Sequence, residues 1–163
     1  MPVFISHRTA DNEIAQRVAH RLKYQHGITV YIDDIDQELR RLQGTSAITG
    51  LLVRRLNSCT NLLAIVSRNT HGSWWVPFEI GVARQCPRVI TTMTDLADSL
   101  LPEYLLEWPR LRGETAVDIF ARLYKEQKQV LTEQVLEKRA SDTVQAGYVD
   151  RFHRSLKSAL DQR

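Results

Sequence analysis

Cysteine is scarce in this chain of 163 residues: Cys59 and Cys86 are the only two. Their scarcity excludes a small scaffold stapled by disulfides, and two reduced thiols fit a cytosolic setting. The five histidines, His7, His20, His26, His71 and His153, make no H-E-x-x-H or comparable ligand spacing, so no metal site is expected. No apolar run approaches the ~20 residues that cross a bilayer. The opening MPVFISHRT has neither the basic start nor the long apolar centre of a secretory signal. Only 7 glycines occur, and none builds G-x-G-x-x-G or a P-loop after the first apolar run. The usual glycine cradle for dinucleotide phosphates is therefore missing. No G-x-S-x-G elbow supports a hydrolase triad. Charge of one sign is lacking too: 22 Lys and Arg face 19 Asp and Glu, scattered along the chain, for a net charge of +3. That balance indicates an ordinary solvated surface rather than a nucleic-acid footprint.

What is present is a globular composition, 43% hydrophobic and 25% charged. Pro2 to Ser6 reads as a buried strand. Thr9 or Asp11 is placed to cap the next helix. Its apolar face is Ile14, Val18 and Leu22, with Ala15 and Ala19 alongside, and Gly27 ends it. Ile28 to Ile32, ITVYI, reads as a second strand. The polar stretch from Asp34 to Gly44 reads as a long loop. Thr45 or Ser46 then caps a helix whose apolar face is Ile48, Leu52 and Leu56. NLLAIVS, residues 61–67, is apolar throughout, as expected of a strand covered on both faces. A third helix opens within SWWVPFEIGVA, residues 73–83. RVITTMT, residues 88–94, is a fourth strand. Residues 95–112 read as irregular, with room for a short helix and one more strand.

Such alternation needs crossover connections, which give a parallel sheet between helical layers. The fold class expected is α/β, a three-layer flavodoxin-like arrangement. Ligands in such folds bind beyond the carboxyl ends of the strands. Those ends here are Ser6-His7-Arg8, Asp33-Asp34 and Ser67-Arg68-Asn69. After residue 112 the pattern changes. Val117, Phe120, Leu123, Tyr124 and Leu131, then Val144, Tyr148, Phe152, Leu156 and Leu160, recur at helical spacing. Residues 113–163 therefore read as a C-terminal helical extension of two helices. It either packs on the core or offers a stripe for dimerisation.

Within the third helix a single acid, Glu79, sits in an apolar run beside Trp74 and Trp75. Pro77 suits a first helical turn, and an anion early in a helix is favoured by the dipole. Trp75 and Glu79, at i and i+4, share one face. Spacing alone leaves two readings open. One is packing indole with a favourably placed charge; the other is a pocket that stacks a flat ring and presents negative charge to it. A response-regulator pocket built on Asp33 and Asp34 would need an acceptor Asp after the third strand, and that position is Ser67.

VFISHRTAD, VYIDD and NLLAIVSRNTHGSWWVPFEI, in this order, resemble the three boxes of Toll/interleukin-1 receptor (TIR) domains. The resemblance covers residues 1–112 as a TIR domain and is nearest to stand-alone bacterial members, including the signalling subunit of Thoeris anti-phage systems. It implies cleavage of NAD+ between ribose and nicotinamide, with Glu79 as catalytic carboxylate and Trp75 four residues before it. It implies further pocket members by position: Phe4, Ser6, Arg8, Asp33, Asp34, Ser67 and Ser73. NAD+ is substrate, so no separate cofactor is expected. The product is ADP-ribose or a cyclic isomer, and a cyclic product implies a separate effector protein that receives it. A cytoplasmic homo-oligomer is implied, with no membrane or nucleic-acid partner. The 34–44 loop corresponds to the family's BB loop, which often mediates assembly. Two rivals stand beside this reading: a non-catalytic TIR scaffold acting by protein contact, and a nucleoside deoxyribosyltransferase-like enzyme with a glutamate nucleophile.

Overall fold

The computed structural model describes residues 2–34, 50, 53–70, 75–85, 88–136 and 142–162. Five strands form one sheet: β1 (Val3–His7), β2 (Val30–Asp34), β3 (Asn61–Ile65), β4 (Val89–Met93) and β5 (Arg110–Leu111). Every pairing is parallel, and the order is β2-β1-β3-β4-β5. This is the doubly wound flavodoxin-like order, in which the winding reverses between β1 and β3. Among the described residues, α1 (Asn12–His20), α2 (Trp75–Arg84), α3 (Gly113–Leu136) and α4 (Asp142–Ala159) cover the sheet. Residues 53–57 are also helical.

Continuous apolar strands follow from burial on both faces. All five residues of β1 are buried, and all five of β3. Because side chains alternate across a strand, the sheet divides them between two cores. Val3 and Ile5 meet Ala15, Val18 and Leu22 from α1, Val117, Phe120 and Tyr124 from α3, and Phe152 and Leu156 from α4. Phe4, Leu62, Ala64 and Ile90 meet Leu56 and, from α2, Val76, Ile80 and Ala83. Each large side chain so enclosed contributes roughly 1.5–3 kcal/mol. The tail stripe thus lies in the first core: Phe120 and Phe152 meet edge to face at 5.7 Å, joining α3 to α4.

The α1 face is as its periodicity predicts, and the helix widens into a π-turn at Arg21–Gln25 before Gly27 takes φ +65°. Its expected cap differs. Asp11 stands at the N-cap position but makes no side-chain bond to the helix. Its carboxylate is drawn instead to the loop after β3. The 34–44 loop beyond Asp34, with Thr45, Ser46, Ile48 and Leu52 of the next expected helix, lies outside the described residues.

One sheet edge is finished in an unusual way. β5 is two residues long and pairs only with Thr92 and Met93, so on the side away from β3 the start of β4 has no neighbouring strand among the described residues. There the Ile90 N–H donates to His153 Nε2 on α4, at 3.0 Å. Just past α4, the Gln162 amide accepts from the Arg110 N–H at 2.9 Å and donates to the Arg110 carbonyl at 2.5 Å. Lys157 Nζ donates to the Leu106 carbonyl at 3.0 Å. Side chains here do the hydrogen bonding that another strand would do, and an exposed edge is avoided.

Candidate active site

Glu79 stands in the second turn of α2 and is 0% exposed. Its Oε2 accepts a hydrogen bond from the Ser6 hydroxyl at the carboxyl end of β1. Burying a carboxylate is costly without a donor, and Ser6, itself buried, supplies one. The two residues are 73 apart in sequence; the β1–β3 crossover and the α2 docking bring them together. Phe4, two residues before Ser6 on the same strand face, packs under α2 among Val76 and Ile80. It is a floor rather than a rim residue, fully enclosed at 0% exposure.

Asp33 and Asp34 close β2, in register with Ser6 and His7 of β1. The backbone therefore places Asp33 beside the Ser6–Glu79 pair, while both aspartate side chains lie outside the described residues. Trp75 opens α2 one turn before Glu79; its side chain, and Ser73 and Trp74 entirely, also lie outside the described residues.

Arg8 and Ser67 are drawn into a clamp between the ends of β1 and β3. Arg8 Nη1 donates to the Asn69 carbonyl at 2.6 Å. Ser67 Oγ reaches both carboxylate oxygens of Asp11, at 2.9 and 2.8 Å. Asn69 Nδ2 donates to Asp11 Oδ1 at 2.7 Å, and the Asn69 N–H donates to Ser67 Oγ at 2.9 Å. Asp11 is 2% exposed, so this buried charge is held by neutral donors from a distant loop. Asp11 and Asn69 were not singled out for the site from sequence. Asp11 looked like a helix cap, and its partners lie 56 and 58 residues away. The only signal was a second polar cluster at a strand end, Ser67-Arg68-Asn69.

The carboxylate of Glu79 and the Asp11 clamp thus flank the point between β1 and β3 where the winding reverses, the place where this fold class binds ligands. A cavity of about 660 Å³ opens on the β4 side of α2, bounded by Val66, Ser67, Val76, Pro77 and Ile80 and, opposite, by residues of the 96–105 segment. Glu79 does not line it. Among the described residues no helix is long and apolar enough to cross a membrane.

Compared with known proteins, residues 3–135 match the TIR domain family. That match runs through nearly all of α3. The chain is also 33% identical over 82 residues to a probable 3′ cyclic ADP-D-ribose synthase, ThsB′, of Bacillus cereus (strain MSX-D12). The similar stretch makes up 48% of this chain and 41% of that protein, less than half of either.

Proposed function

The chain belongs to the TIR domain family, and on that premise we propose that it cleaves NAD+ at the bond between nicotinamide and ribose, with Glu79 as the catalytic carboxylate. The observation that carries the reading is the placement of Glu79: an enclosed carboxylate at the β1 tip, held by the Ser6 hydroxyl. In NAD+ the nicotinamide ring is already a cation. The C1′–N bond breaks with its electron pair going to the ring nitrogen, so the leaving group departs neutral and needs no general acid. The sugar left behind resembles an oxocarbenium ion. A carboxylate facing C1′ stabilises that charge or traps it as an ester. In a site shut off from water such an interaction is worth more than in solution. The Ser6 hydroxyl orients one carboxylate oxygen, and Asp33, in backbone register with Ser6, is the residue proposed to meet a ribose hydroxyl.

Water as acceptor, losing a proton as its oxygen joins C1′, gives ADP-ribose. An atom of the same molecule as acceptor gives a cyclic isomer. The ThsB′ relative is named for a cyclic product, which favours cyclisation here. A cyclic nucleotide made by a small enzyme serves as a signal, so a separate effector protein in the same cytoplasm, and a role in anti-phage defence, belong to the proposal. So does assembly of several copies.

Mass spectrometry of NAD+ incubated with the wild-type chain and with Glu79→Gln tests it. The wild type should release nicotinamide and an ADP-ribose species, the cyclic form lighter by one water, and the variant should release neither. Equal nicotinamide release by both proteins would remove Glu79 from the chemistry. One observation favours the non-catalytic scaffold instead: Glu79 is 0% exposed, so substrate must reach a carboxylate that the structure encloses. On the scaffold reading, NAD+ incubated with assembled wild-type chains stays intact.

A further inference from the structure

We propose that the cavity on the β4 side of α2 is a second ligand site, shaped and charged for a small, flat aromatic anion. Its volume of about 660 Å³ falls within the ~300–1,000 Å³ of small-molecule sites. Its walls are apolar: Val76 and Ile80 from α2 face Leu101 and Leu105, and all four are buried. At its rim stand Leu100, 63% exposed, and Tyr104, 44% exposed. Large apolar side chains left open to water beside an apolar hollow mark a surface that something covers. The Tyr104 ring provides a flat face, and burial raises the pKa of its phenol.

Charge decides the ligand class. Among the described residues lining the cavity, Arg68 is the one cationic side chain and none is a carboxylate. Arg68 is exposed, and among the described residues it forms no ion pair and no hydrogen bond. Among the described residues, guanidiniums near the sheet are engaged: Arg8 with Asn69, Arg21 with Asp118, Arg84 with Glu107, Arg88 with Asn57, and Arg110 and Arg112 with Asp98. A planar donor standing free at the mouth of an apolar hollow suits a carboxylate, sulfonate or phosphate on an aromatic body. The cavity shares Ser67 with the rim clamp, but Glu79 turns away from it to Ser6 on β1, and the cavity lies between α2 and the segment that joins β4 to β5.

The test is a fluorescence titration of the full chain with 8-anilinonaphthalene-1-sulfonate, a flat aromatic anion, beside N-phenyl-1-naphthylamine, which has the same rings and no charge. One saturable site is expected, with the anion bound about tenfold more tightly than the neutral probe, the effect of one charge-assisted hydrogen bond. Arg68→Gln should erase that preference. Leu100→Asp, at an exposed position that leaves folding intact, should weaken the anion at least about tenfold by repulsion. Unsaturable binding, or binding of the anion that neither substitution alters, would overturn the proposal. Competitive displacement of the probe by NAD+ from the Glu79→Gln protein would also overturn it, because the cavity would then be part of the substrate site. Both readouts stand whether or not the wild-type chain turns NAD+ over.

Discussion

The carboxyl rim of the sheet and its β4–β5 edge both bury polar groups, yet at the rim two buried carboxylates are met by side-chain donors, while at the edge side chains meet main-chain groups. At the edge, His153, Lys157 and Gln162 meet Ile90, Leu106 and Arg110 main-chain atoms. Those main-chain groups exist in any sequence and must be satisfied if the fold is to stand. At the rim, Glu79 meets Ser6, and Asp11 meets Ser67 and Asn69. A fold has no need of these charges, since apolar residues of similar volume often serve stability as well or better. On the proposed function the edge answers to stability and the rim to activity, and substitutions should separate the two.

The largest effect should come from Glu79→Gln, which keeps shape and removes charge. NAD+ turnover should fall by at least about 100-fold with the near-UV circular dichroism unchanged. A variant that unfolds instead would place Glu79 with the structural group and break the contrast.

Acid should act next, and on the edge. Burial holds His153 at a pKa of about 4, against 6.5 in a free side chain. The folded state then binds fewer protons than the unfolded state between those values, so stability falls as pH drops from 6.5 towards 4, by about 3 kcal/mol. Beyond desolvation, a protonated ring could no longer accept the Ile90 N–H at Nε2. Asp118, lowered by hydrogen bonds from Arg21 and His26, and Asp98, lowered by Arg112, lose their contributions only below the ordinary carboxylate value of 3.8. Urea midpoints measured across the window should slope for wild type and be flat for His153→Gln. Parallel slopes would mean that another group carries the loss.

A smaller effect is expected from Asp11→Ala, which strands the Ser67 hydroxyl and the Asn69 amide. Urea unfolding should show a loss of about 2 kcal/mol, and NAD+ turnover should fall as well, because the loop that leads into α2 loses its anchor. A change in stability alone would move the clamp from the rim group to the edge group. Gln162→Ala should cost least, about 1 kcal/mol, with turnover unaffected. A loss of turnover there would show that edge and rim are coupled.

Much of the α/β order was legible because it rests on local rules. NLLAI is apolar throughout since both faces of β3 are covered, and Ile14, Val18 and Leu22 recur at the helical period because α1 lies on the sheet. Strand ends were harder: Ile28 looked like part of β2, but pairing with β1 begins at Val30. Glu79 was legible as an odd acid in an apolar run, and Trp75 by its spacing from it. Asp11 was misread, because a cap residue and a tertiary ligand look alike in sequence. His153 carried no signal at all. Its role arises from a gap beside β4, and the gap exists only because β5 is two residues long.

The sequence by itself determined the order of strands and helices, the two-sided burial of the sheet and the presence of one acid on α2. Hydrophobic period and turn chemistry act over a few residues, and one chain suffices to read them. Which hydroxyl would receive Glu79, where Asp11 would turn, and that a histidine and a glutamine would finish a sheet were decided only by tertiary structure. Those pairings join residues 52 to 73 apart. They depend on how helices dock on a twisted sheet, and no local pattern encodes that distance.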